Sequence, residues 1–165
     1  MKKLIHIFLL IISISTPVEA SFETRMNLNK QVSKAEVIAL ATVTDVYYLN
    51  KANTKLQILD IVVDKGLVNS QKGDTFKVIG NNGLSASSLE IESSGKQAFF
   101  LLAKNKYYEE SLYKSVNLRF SVYQIQDGYI YTFKDYKKIS IEDAEKLFIK
   151  TINSPLRKIF NWLFW

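Results

Sequence analysis

The 165-residue chain has no cysteine, two prolines, six glycines and one histidine. Without a thiol there is no disulfide framework, thiolate nucleophile or thiolate metal site, and no cysteine to carry a lipid anchor. The one histidine, His6, lies in a segment expected to be removed on export, so the mature chain would hold no imidazole. That excludes Ser-His-Asp and Cys-His catalysis, the usual zinc ligand sets and imidazole proton transfer near neutral pH. Carboxylate-pair and Ser-Lys chemistry are what remain for an enzyme. Glycine is scarce outside the centre: all six fall between Gly66 and Gly128. The middle of the chain is therefore punctuated like a sheet with tight turns, and the flanks are not.

What is present begins with a leader. Lys2 and Lys3 supply a positive start, and Leu4–Ile14 is apolar except for His6 and Ser13. Pro17 follows, and Val18-Glu19-Ala20 places small residues where a signal peptidase reads them. The apolar run is shorter than the roughly 20 residues of a bilayer-crossing helix. Residues 1–20 are expected to be a signal peptide, which makes the protein exported, periplasmic or secreted. Cleavage removes Lys2, Lys3 and Glu19 and lowers the formal charge from +6 to +5, which permits an anionic partner without requiring one. Residues 21–165 suffice for one domain burying about two-thirds of its unfolded surface.

The periodicities predict an α+β domain over residues 21–153. Leu28, Val32 and Ala35 are spaced for a short amphipathic helix within Thr24–Ala35. Val37–Tyr48 reads as a long first strand and Leu56–Val63 as its antiparallel partner. The second is apolar on both faces, as for a strand covered on both sides or one lying where a barrel meets a helix. Lys65-Gly66 and Lys72-Gly73-Asp74 bracket a connection to a third strand, Thr75–Ile79. Gln97–Ala103 reads as a central strand, after a polar loop over residues 80–88 and the short segment Leu89–Glu92. Val116–Ile125 and Tyr129–Phe133 flank Asp127-Gly128, a strong hairpin signal. Ser140 is a fitting N-cap for a helix whose Ile141, Ala144, Leu147, Phe148, Thr151 and Ile152 share one face. Asp143 stands in a capping-box position, Glu142 and Lys146 form an i,i+4 pair, and Pro155 ends the helix.

The succession Ala35-Glu36-Val37-Ile38-Ala39-Leu40-Ala41-Thr42-Val43, Ile61-Val62-Val63-Asp64-Lys65-Gly66, Lys72-Gly73-Asp74-Thr75 and Gly95-Lys96-Gln97-Ala98-Phe99-Phe100-Leu101-Leu102 resembles a group of small exported bacterial proteins. Their pattern is similar to the OB-type barrel of tissue-inhibitor-of-metalloproteinase-like (netrin-like) domains, over about residues 35–131 here. The resemblance implies a five- or six-stranded antiparallel OB-like barrel with a short N-terminal helix and one or two C-terminal helices. Inhibitors of that type chelate a protease zinc through an N-terminal cysteine. This chain has none, so the activity does not carry over with the fold.

Three groups of residues are candidates for contact with a ligand. Tyr47-Tyr48, Tyr107-Tyr108, Tyr129 and Tyr131 come in pairs or alternate, and Phe133 extends the last face. On an OB barrel such aromatics can stack bases or sugars, with Lys55, Lys77 and Arg119 as phosphate contacts. Against this, tyrosines also fill half-buried strand faces, and the basic residues do not cluster about one strand pair. The carboxylates Asp45, Asp60, Asp64 and Asp74 lie in or beside strands, but their spacing fixes no acid–base separation. Turn residues plus one buried, paired Asp60 is the simpler account. The tail over residues 154–165 places Leu156, Ile159, Phe160, Leu163 and Phe164 on one helical face, with Trp162 and Trp165 beside it. Arg157 and Lys158 lie on its polar side, as in an interfacial membrane helix or a segment that docks on a protein partner. Packing on the barrel itself would bury the same face.

The expected function is non-enzymatic binding, with no cofactor and no metal. The protein would be an interaction protein of the bacterial cell envelope, acting through a sheet face or the tail. A binder of oligosaccharide or nucleic acid is the alternative, and a carboxylate-dependent hydrolase the third.

Overall fold

The computed structural model describes residues 27–51, 54–81, 91, 93–106, 111–119, 121–131 and 138–155. The expected signal peptide, Phe133 and the aromatic tail from 156 onward lie outside the described residues. Among the described residues the protein is mostly β-sheet with two helices, the α+β class that the periodicities predict. The elements are α1 (Leu28–Lys34), β1 (Val37–Lys51), β2 (Thr54–Val68), β3 (Thr75–Asn81), β4 (Gln97–Lys104), β5 (Leu112–Arg119), β6 (Val122–Gln126), β7 (Tyr129–Tyr131), β8 (Lys138–Ser140) and α2 (Ile141–Ile152).

The strands form one eight-stranded sheet in the order β1-β2-β3-β5-β4-β6-β7-β8, and β1 pairs additionally with β4. The path β1-β2-β3-β5-β4 thus returns to β1, which bends this part of the sheet into a partial ring. Two expectations are corrected. Among the described residues the sheet has eight strands with a partial ring where a five- or six-stranded barrel was expected, and β3 pairs with β5 in parallel (Lys77 with Leu112, Ile79 with Lys114) where the barrel was expected to be antiparallel.

Alternation in the long strands explains the layering. Val37, Ala39, Ala41 and Val43 of β1 join Leu59, Ile61, Val63, Val78, Phe100 and Leu102 in one buried cluster. The small Ala39 lies opposite the large Phe100, so the ring interior fills without a clash. Ile38 and Leu40, on the other face of β1, join Phe99, Leu101, Tyr123, Val32 of α1, and Ala144 and Phe148 of α2. Both helices thus cover the β1–β4 face, as apolar residues on two sides of a strand require.

Several local expectations hold, others shift. Ser140 Oγ accepts from Asp143 N (3.1 Å) and Lys146 pairs with Glu142 (2.7 Å), as expected of the helix. Asp127 and Gly128 take φ of 52° and 77°, the two left-handed positions of a tight hairpin turn. Leu147, expected on the buried face of α2, is 38% exposed. Val116–Ile125 is two strands, because the chain turns at the buried Ser121, whose carbonyl accepts from Leu101 N (3.0 Å). Lys65-Gly66 lies within β2, where a slip in register opposite Ile38 and Ala39 lets the strand run on to Val68.

A buried polar knot fastens α1 to the sheet. Tyr123 Oη donates to Gln31 Oε1 (3.0 Å) and Ser121 Oγ donates to the same oxygen (3.3 Å). Burial pushes the Tyr123 hydroxyl well above the ordinary tyrosine value, and the bond to Gln31 only partly offsets this. A group whose folded pKa is raised contributes stability that is complete below its unfolded pKa, here about 10, and lost as pH rises above it. Urea titrations between pH 9 and 11.5 should show the wild type losing up to about 1.4 kcal/mol per pH unit more steeply above pH 10 than Tyr123→Phe. Parallel curves for the two proteins would contradict this account.

Candidate functional site

The parallel seam between β3 and β5 begins at Lys77 and Leu112. Thr75 and Phe76 of β3 lie just ahead of that pair, as does Ser111 before β5. Beside this end of the seam lies a cleft of about 400 Å³. Thr44, Asp60, Thr75 and Lys77 line it together with Ile61, Phe76, Ser111 and Tyr113.

The register brings its charged pair together. Asp60 of β2 and Lys77 of β3 are direct cross-strand partners. Lys77 Nζ donates to Asp60 Oδ1 (3.1 Å), Asp60 Oδ2 (3.2 Å) and Tyr47 Oη (2.9 Å). Tyr47 Oη in turn donates to Asp60 Oδ1 at 3.4 Å, and its ring lies 5.3 Å below the ammonium. The bonds to Tyr47 and to Asp60 raise the Lys77 pKa above its ordinary value, so the ammonium stays charged through the neutral range. Both partners remain in contact with water, at 51% and 33% side-chain exposure, so the pair itself adds little stability.

The rest of the lining is hydroxyl and aromatic. At the register slip between Val43 and Asp45, Thr44 Oγ1 donates to the Asp60 carbonyl (3.1 Å), which leaves its lone pairs free to accept. Phe76 and Tyr113 meet edge to face with centroids 5.1 Å apart, partly buried against the ring interior.

Of the residues singled out from sequence, Lys77 is in the cleft, and Asp60 is paired as expected but half-buried rather than buried. Tyr129 is elsewhere: β7 joins the sheet through β6, which pairs with Ala98–Phe100 of β4, whereas β3 joins it through β5. It is 39% exposed, and Lys138 Nζ stands 3.9 Å over its ring, so a stacking ligand would have to displace that lysine. Tyr131 pairs with Lys138 through the backbone of β7 and β8, and Arg119 ends β5. The sheet order therefore does not bring Tyr129 and Tyr131 to Lys77. Phe133, Phe160, Trp162, Leu163, Phe164 and Trp165 lie outside the described residues.

Sequence reasoning missed Thr44, Thr75, Phe76, Ser111 and Tyr113. Thr44, Phe76 and Ser111 carry no motif, Thr75 reads only as part of a turn-and-strand pattern, and Tyr113 joins them only through the parallel pairing. Among the described residues no His, Cys, Asp or Glu group could hold a metal ion, and no helix is long and apolar enough to cross a membrane. No protein-family model, curated protein or solved structure matches the chain.

Proposed function

We propose that this is an exported, non-enzymatic binding protein of the cell envelope. Its partial ring is an OB-like barrel, and its ligand sits in the cleft beside the β3–β5 seam. The observation that carries the reading is the cleft itself, where a carboxylate, an ammonium, hydroxyls and two aromatic rings converge. Strands hold these groups in place, which spares a ligand much of the ordering cost. The return of β4 to β1 supports the barrel, and OB barrels carry ligands on the face of their second and third strands. The leader over residues 1–20 supports export. Lys77 is held protonated and so cannot serve as a base, and residues 21–165 contain neither histidine nor cysteine.

Amide NMR spectra of the purified protein test this against a panel of neutral oligosaccharide, acidic oligosaccharide, single-stranded oligonucleotide and phospholipid vesicles. At least one class should shift Thr75, Phe76, Lys77 and Tyr113, and the exposed Ser111→Arg, which fills the cleft, should weaken that binding about tenfold or more. The reading fails if no class shifts these signals, or if Ser111→Arg binds as well as the wild type.

A further inference from the structure

We infer that the cleft takes an uncharged, hydroxyl-rich ligand, a segment of neutral oligosaccharide, and discriminates against nucleic acid and other polyanions. The inference rests on the cleft being the binding site.

Charge balance is the first argument. Among the described residues, the charged groups lining the cleft are Asp60 and Lys77, and they neutralise one another at 3.1 Å. A phosphate reaching Lys77 would have to compete with Asp60 for the ammonium and then lie beside its carboxylate. Asp45, the direct cross-strand partner of Asp60, adds a second negative charge on that side. Nucleic-acid sites work in the opposite way, with cations in excess and counterions released on binding. A carboxylate stripped of its cation at the point of contact rejects a polyanion.

The hydrogen-bonding inventory is the second. A sugar hydroxyl both donates and accepts, so it needs a lining of mixed character. Lys77 offers only donors, and Asp60 and the committed Thr44 hydroxyl offer acceptors. Thr75 and Ser111, both exposed, offer hydroxyls able to do either. Each of these five groups can therefore meet a sugar hydroxyl without being stranded.

Shape is the third. The negative face of an aromatic ring attracts the slightly positive C–H groups of a pyranose face, and Phe76 and Tyr113 supply such surface beside the polar groups. At about 400 Å³ the cleft falls near the lower end of ligand pockets, roughly 300–1,000 Å³, which suits a short saccharide segment.

The test titrates the purified protein with cellohexaose and chitohexaose as neutral probes, and with polygalacturonate and a single-stranded oligonucleotide as anionic ones. A neutral hexasaccharide should shift the amides of Thr75 and Tyr113, with an affinity that changes less than about twofold as salt is raised tenfold. Asp60→Asn removes the carboxylate and leaves Lys77 unbalanced. It should weaken the neutral sugar about tenfold, the cost of one charge-assisted hydrogen bond, and give the oligonucleotide a salt-sensitive foothold absent from the wild type. Ser111→Arg, at an exposed position, gives the same loss of sugar binding without touching the Asp60–Lys77 pair. If wild-type protein binds an anionic probe at Thr75 and Tyr113 and neither neutral one, the cleft is the binding site but the ligand class assigned here is wrong. If no probe moves these signals, the assignment is overturned, and vesicles that also leave them unmoved overturn the binding site with it.

Discussion

Truncating Phe148 to alanine should cost about 4 kcal/mol of unfolding free energy, within the range of roughly 3–5 for a buried phenylalanine. Phe148 is the residue of α2 most fully engaged with the sheet. Its ring lies 5.0 Å from that of Phe99 on β4 and 5.4 Å from that of Tyr123 on β6. It is 1% exposed, in the cluster that also holds Val32 of α1. The alanine variant leaves a void walled by both helices and two strands, and close-packed walls collapse only in part. A single domain has only about 5–15 kcal/mol in total, so this one ring is a large share. Phe148→Leu keeps most of the volume and should cost less than about 2 kcal/mol. Urea unfolding of the three proteins decides the matter. A loss below about 1 kcal/mol for Phe148→Ala would mean that α2 does not dock as described.

The second large effect is expected at Gly66. A Cβ built there runs into the carbonyl oxygen of Ser70, and backbone cannot swing aside as a side chain can. Ser70 is itself held on both sides. Asn69 takes φ of 46° and its side-chain amide donates to the Glu36 carbonyl (2.8 Å), while Gln71 N donates to Asp74 Oδ2 (2.8 Å). Gly66→Ala should therefore cost about 3 kcal/mol, as overpacking against fixed atoms does. Gly73 provides the internal comparison. It has φ of 91° but nothing within 4 Å of an added Cβ, so Gly73→Ala should cost only about 1 kcal/mol, from backbone strain. Thermal unfolding of the two variants separates close approach from strain. Equal losses would show that the Ser70 turn yields.

Local signals were the legible part of this fold. The cap at Ser140, the turn at Asp127-Gly128 and the apolar run from Gln97 all act within a few residues, where the sequence states them directly. Asp60 reads from sequence as a polar residue needing a partner inside an apolar strand, and Lys77 as a cation on the next one. That they are partners depends on the β2–β3 register, which several apolar pairs set jointly. The β3–β5 pairing was illegible for a further reason. It joins segments remote in sequence and in parallel, so no hairpin turn announces it, and Phe76 and Tyr113 meet only as its consequence. The break between β5 and β6 has neither glycine nor proline to mark it, because Ser121 turns the chain while its carbonyl takes a sheet hydrogen bond. At Lys65-Gly66 the glycine does mark something, but it is a close approach within a strand rather than the end of one.

The return of β1 to β4 also bears on how the strand edges are guarded. A strand with a bare flank invites another chain to hydrogen-bond along it, and proline is a common guard against this. This sequence spends its two prolines at positions 17 and 155, outside every strand described. Over Val37–Thr42 the flank of β1 is occupied by β4. Beyond that stretch, where among the described residues β1 is paired with β2 only, the irregularity between Val43 and Asp45 and the charge of Asp45 break the flat ribbon that a foreign strand would need. At the far end of the sheet β8 is three residues long and carries Lys138. The β1–β4 pairing, a register irregularity, charge and brevity thus stand at these strand edges where proline stands elsewhere.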